Sequence, residues 1–173
     1  MTPLVFINTI KPYAQASALS DGWPLAALVA VPALETGWGS LLVRDGVRTN
    51  NLFNIKGEGP AGSVFVEAYE WLPQSEWDRY KTQGVSFTFT GRRSGNRLEG
   101  RIAHRYRCYF DFTESYADFS RLLRSQPRYS PVRHAADPFV FCAALQTCGF
   151  ATDPDYTRKL HDILRRRVLP VLG

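Results

Sequence analysis

Metal chemistry has little to work with in this chain. Three histidines (His104, His134, His161) and three cysteines (Cys108, Cys142, Cys148) are scattered through 173 residues, and their spacing matches no zinc pattern. No metal and no organic cofactor is expected. Cys142 and Cys148 lie six residues apart, too far along a straight helix for a disulfide. Cys108 remains open to pairing with either one in an oxidising compartment; buried free thiols are the default. Long apolar runs are also missing, so no membrane span is read. The stretch Met1–Asn8 lacks a basic region and a small-residue cleavage site, so no secretory signal is read there. Repeats, low-complexity tracts and disordered linkers are absent too.

What the chain does have is aromatic and basic. It carries 23 aromatics (4 Trp, 8 Tyr and 11 Phe) and a net charge of +5, from 21 Lys+Arg against 16 Asp+Glu. Such a balance favours an anionic partner: nucleic acid, a membrane surface or an acidic polymer such as a cell wall. Much of the excess lies in Arg92, Arg93, Arg97, Arg101, Arg105 and Arg107, with Tyr106, Tyr109 and Phe110 interleaved. Arginine mixed with aromatics suits single-stranded nucleic acid, but a solvated basic face is the plainer reading, and no nucleic-acid partner is expected.

One stretch organises the rest. Leu25 to Val31 reads as a buried helix, and Gly37 and Gly39 read as its stop signals. Glu35 then sits at the C-terminal end of an apolar helix. The negative end of the helix dipole and the low dielectric both disfavour its carboxylate. A carboxyl group so placed keeps its proton near neutral pH, as a general acid must. Taken alone, a helix-end glutamate is more often structural than catalytic. Pro32 inside this helix should free the carbonyl of Leu28 and bend the axis.

Around that stretch the periodicity predicts helices over 4–18, from 112 onward, from Asp137-Pro138 to about Leu145, and after a Thr152-Asp153-Pro154 cap. Pro12 is a point where the first helix kinks or splits. Residues 40–59 read as an irregular loop held by Asn50 and Asn51, in which the amides and Phe53 either line a cleft or merely pack. Strands are predicted over 63–71, 85–90 and 102–110. The fold class is therefore α+β, mainly α: one domain over 1–173, with a small antiparallel β-lobe inserted at about 62–110. Glu67 and Glu70 lie on that lobe, across from Glu35. Two carboxylates facing one bond are what glycoside hydrolysis usually needs.

Several motifs in collinear order then carry a resemblance. Ala33-Leu34-Glu35-Thr36-Gly37-Trp38-Gly39, Asn50-Asn51-Leu52-Phe53-Asn54-Ile55-Lys56-Gly57, Tyr106-Arg107-Cys108-Tyr109 with Glu114-Ser115, Gln126-Pro127-Arg128-Tyr129, and Phe150-Ala151-Thr152-Asp153-Pro154-Asp155-Tyr156 are similar to the flagellar-type N-acetylglucosaminidases. These are peptidoglycan hydrolases of the flagellar rod and autolysin kind. The resemblance covers roughly 4–165 and is weak around 72–104. It implies a lysozyme-like fold and cleavage of the β-1,4 bond after N-acetylglucosamine in peptidoglycan. It also implies Glu35 as general acid and Glu70 as the second catalytic carboxylate, with Glu67 the nearby rival. Asn51, Phe53, Glu67 and Tyr156 are the expected substrate-binding residues. Phe150 stands where the family commonly has tyrosine, and Tyr156 is not an obvious substitute for it. Pro32 and Asn54 depart from the family pattern as well.

The partners expected are peptidoglycan glycan strands, with a monomeric enzyme. Lytic transglycosylase or muramidase activity, or a non-catalytic wall-binding module, is the alternative. Because the substrate lies in the periplasm or cell wall and no signal peptide is read, delivery by a secretion system or phage lysis is expected. An antibacterial effector of this kind would have a cognate immunity protein.

Overall fold

The computed structural model describes all 173 residues. Helix α1 (Pro3–Asp21) opens on Thr2, whose hydroxyl accepts from the Val5 amide, with proline at the first helical position. It runs unbroken through Pro12 and closes at Gly22, where φ is 76°. One side, Phe6, Ile7, Ile10 and Ala14, is fully buried.

That side packs on α2 (Leu25–Glu35), the centre of the molecule. Residues Ala26 to Ala33 of α2 are all buried. A helix apolar on every side has to be surrounded, and helices from both ends of the chain do this. The carbonyl of Leu28 that Pro32 releases is taken by the Tyr116 hydroxyl at 2.9 Å. A buried acceptor thus keeps a donor despite the proline.

Past Glu35 the chain turns sharply. Thr36 Oγ1 donates to Pro32 O (2.6 Å) and accepts from the Gly39 amide (2.9 Å). Gly37, Trp38 and Gly39 all have positive φ, at 54°, 59° and 83°. At Gly39 a Cβ would stand 2.4 Å from Met1 Cε and 3.1 Å from the Phe6 ring. The turn therefore needs glycine for both conformation and space. It fixes where α2 ends, and so where Glu35 points.

A two-residue hairpin, β1 (Val43–Arg44) and β2 (Val47–Arg48), interrupts the expected loop. Its signal is Asp45-Gly46, both at positive φ; the strands are too short to show a period. The lobe follows as β3 (Ser63–Pro73), β4 (Phe87–Ser94) and β5 (Arg97–Arg107), antiparallel in the order β3-β5-β4. Between β3 and β4 lies α3 (Gln74–Thr82), which the sequence reading missed. It buries one residue, Trp77, against Gly100, Phe87 and Phe89. A single apolar anchor makes no helical period.

The remaining helices close the body. Helix α4 (Phe112–Ser125) is capped by Asp111, which accepts from the Glu114 amide, while Glu114 accepts from the Phe110 amide. A 3₁₀ turn at Pro127–Tyr129 leads to α5 (Ser130–Arg133), and α6 (Pro138–Thr147) is capped by Asp137. Helix α7 (Tyr156–Ile163) passes through a π turn at Leu164–Val168 into α8 (Leu169–Leu172). The expected Thr152-Asp153-Pro154 cap is corrected. The helix starts at Tyr156, Asp153 holds the Asp155 amide, and Thr152 is engaged elsewhere. All three cysteines are free thiols. No helix is long and apolar enough to cross a membrane.

Candidate active site

The carboxyl of Glu35 leaves the end of α2 into a cleft between the helical body and the lobe. Its Oε1 accepts from the Tyr156 hydroxyl (2.7 Å) and its Oε2 from Asn54 Nδ2 (3.0 Å). Asn54, at φ 50°, also donates to the Glu35 carbonyl (2.6 Å) and accepts from Arg44 (2.9 Å). Burial raises the Glu35 pKa above the usual carboxylate value, and the negative charge of Glu70 adds to the rise. The Tyr156 and Asn54 hydrogen bonds and the Arg44 charge pull the other way without cancelling it. Tyr156 holds its own proton far into the alkaline range, through burial and the neighbouring Glu35.

Glu70 points into the same cleft from β3, where alternate residues Val64, Val66, Ala68 and Glu70 share one face. Three side chains converge on it. Lys56 Nζ lies 2.5 Å and His104 Nε2 3.2 Å from Oε1, and Thr152 Oγ1 donates to Oε2 at 2.6 Å. Burial alone would raise this carboxyl. His104, Lys56 and Thr152 outweigh it and bring the pKa down to about 2. Thr152 also accepts from the Trp71 amide, and Arg97 spans from Trp71 O to Thr152 O. The loop before α7 thereby clasps the edge of the lobe and sets Glu70 against the body. No three His, Cys, Asp or Glu side chains converge on a point that could hold a metal ion.

The cleft encloses about 580 Å³, within the range of ligand sites. Aromatic rings of Tyr106, Tyr129, Phe150 and Tyr156 line it. Two expected substrate-binding residues do not belong there. Glu67 stands on the opposite face of β3, exposed and paired with Arg101, because strand neighbours three apart point opposite ways. Asn51 is buried. Its amide group donates to Ile55 O and Arg107 O and accepts from the Ile55 amide, so it holds the loop together. Phe53 reaches the cleft wall but is 1% exposed and stacked on Phe119 at 4.0 Å; it is mainly core. Tyr156, also expected in the cleft, lines it. Its ring lies 6.3 Å from that of Phe150, and its hydroxyl reaches Glu35.

Tyr156→Phe keeps the ring and removes the phenol that favours the Glu35 anion. The alkaline limb of the pH–rate profile is therefore expected to move to higher pH. The rate below it should fall by about ten-fold, the scale of one hydrogen bond to a charged group. A profile that stays in place would show that the phenol does not act on Glu35.

Several known proteins resemble this chain. The family model for mannosyl-glycoprotein endo-beta-N-acetylglucosaminidase matches residues 11–168. The peptidoglycan hydrolase FlgJ of Pseudomonas aeruginosa is 33% identical over 164 residues, covering 93% of this chain and 36% of that protein. This chain thus spans about a third of that relative's length. The crystal structure of a peptidoglycan hydrolase mutant from Sphingomonas sp. A1 superposes with a TM-score of 0.73 at 31% identity, over 96% of this chain and 99% of that one. A type VI secretion system effector–immunity complex from Pseudomonas protegens shares the fold, with a TM-score of 0.60 at 18% identity over 100% of this chain and 96% of that one.

Proposed function

Because the chain belongs to the glucosaminidase family, we propose that it is a peptidoglycan hydrolase cleaving the β-1,4 bond after N-acetylglucosamine, with residues 1–173 acting as one catalytic unit. The observation that carries this reading is a pair of carboxyls in one cleft whose pKa values are driven apart. Such a split assigns the acid and the base-side roles. Glu35 protonates the leaving glycosidic oxygen. Glu70 stays anionic and faces the positive charge that builds on the sugar ring. A carboxylate held near 2 is a weak proton acceptor at neutral pH. Its electrostatic role therefore outweighs activation of water.

Digestion of sacculi followed by mass spectrometry of the muropeptides tests this. Reducing-end N-acetylglucosamine is expected. Anhydro ends would make the enzyme a lytic transglycosylase, reducing-end N-acetylmuramic acid a muramidase, and binding without release of sugar a wall-binding module.

The finer proposal is an antibacterial effector that works in the periplasm or wall and is delivered there by a secretion system or by phage lysis. Its cognate immunity protein would plug the cleft above Glu35. Growth arrest on periplasmic expression, relieved by the product of an adjacent open reading frame that binds the enzyme, is the expected result. An adjacent product that neither binds nor relieves would remove it.

A further inference from the structure

His104 stands behind the cleft wall, against Glu70, and its chemistry is unexplained. It sits on β5 opposite Val66, between Ile102 and Tyr106 on the face that carries Glu70. Its side chain is 16% exposed, and its ring meets Tyr106 edge-on at 6.4 Å and 86°. The Nε2 atom is buried and makes no well-aligned hydrogen bond. Its nearest charged partner is Glu70 Oε1 at 3.2 Å, within ion-pair reach but off the line of a good hydrogen bond. A buried nitrogen left this way costs stability, and an apolar ring in the same slot would not. Packing alone therefore does not account for an imidazole here.

We propose that His104 is a positioning residue for the hydrolytic reaction: it holds the Glu70 carboxylate in its charged form, turned toward the cleft. The inference rests on the proposed glycosidase reading. Lys56 and Thr152 alone are an incomplete clamp for that task. Lys56 is 46% exposed on a flexible stem, so its pairing with Oε1 is screened by water. Thr152 binds only the far oxygen, Oε2. His104 is the inward group facing Oε1, at 3.2 Å, carried by the strand and packed edge-on against the Tyr106 ring. Glu35 on α2 and Tyr106 on β5 feel the charge of Glu70, Arg44 on β1 acts on both of them, and Arg107 and Arg128 line the same cleft. The three arginines are engaged elsewhere: Arg44 with Asn54 and the Tyr106 ring, Arg107 with Asp118, and Arg128 with Gln126 and the Tyr129 ring.

The test compares His104→Ala and His104→Gln with the native enzyme on purified sacculi, reading turnover at pH 4 and pH 6. Losing His104 lets Glu70 take a proton at a higher pH. The ratio of kcat at pH 4 to kcat at pH 6 is therefore expected to fall at least about three-fold in His104→Ala, with KM little changed. The drop at pH 6 should be on the order of ten-fold, part of the range that acid–base groups supply. His104→Gln, whose amide can still donate, should recover part of the ratio. A ratio equal to that of the native enzyme in the folded alanine variant overturns the proposal, whatever happens to kcat, since that is what a packing role predicts. If His104→Ala does not fold, His104→Asn is read the same way, because its shorter amide falls short of Glu70. Native enzyme that releases no sugar at all would count instead against the glycosidase reading.

Discussion

Glu35→Gln is expected to lower sacculus hydrolysis by about 10²–10⁴-fold while leaving the protein folded and at least as resistant to heat at pH 7. The two halves of this result have one cause. Glu35 is half-buried at a helix C-terminus, its carboxyl desolvated beside another carboxylate, and its pKa is raised. A group with a raised folded-state pKa contributes its full stability below the unfolded value, 4.5 here, and loses it as pH climbs through the folded value. At pH 7 the native acid is therefore a strained group, and the neutral amide is relieved of that strain. Tyr156 can still donate to the amide oxygen. One local cost opposes the gain: the new amide nitrogen faces Asn54 Nδ2, a donor. The difference in melting temperature between variant and native protein should widen from pH 4.5 upward. Thermal melts across that range and sugar release on the same preparations check both halves. A folded Glu35→Gln protein that lyses walls at the native rate would remove Glu35 as the proton donor.

The position of Glu35 was legible because its signals are local. An all-apolar helix, a glutamate and two glycines within fifteen residues fix both the burial and the stop. Its hydrogen-bond partners were not legible, since Asn54 and Tyr156 come from 19 and 121 residues away. No periodicity encodes a meeting at that range. The β-lobe could be located from alternation, but the facing of β3 could not. Phe65, Glu67 and Tyr69 alternate with Val66, Ala68 and Glu70, so each face offers a carboxylate among apolar side chains. Register against β5 and the Thr152 clasp decide between the faces. Asn51 was misplaced for a related reason. An asparagine in a loop motif looks the same whether its amide meets a ligand or three backbone groups. His104 gave no signal at all, as a lone histidine on a strand.

Glu70→Gln should show the mirror image in stability, and that contrast is the stronger identification of the acid. The native carboxyl is held at about 2 by His104, Lys56 and Thr152. A group with a depressed pKa contributes stability above its unfolded value, 4.5, and loses it as pH falls from there toward 2. The amide cannot supply that contribution. At pH 7 the variant should lose up to about 3 kcal/mol by linkage, and nearer 1–2 kcal/mol because Lys56 is half-exposed and its pairing is screened. The loss should shrink below pH 4.5 as the native carboxyl is also neutralised. Activity should fall by about 10²-fold, the scale of one well-placed electrostatic group. Denaturant melts at pH 7 and pH 3, with muropeptide release measured on the fraction still folded, separate the two effects. A loss of activity with no loss of stability at pH 7 would mean that the three side chains do not hold Glu70 as an anion. If Glu35→Gln gains heat resistance at pH 7 while Glu70→Gln loses it, the two carboxyls carry opposite proton states in the resting cleft. An acid and an anion facing one glycosidic bond require that state.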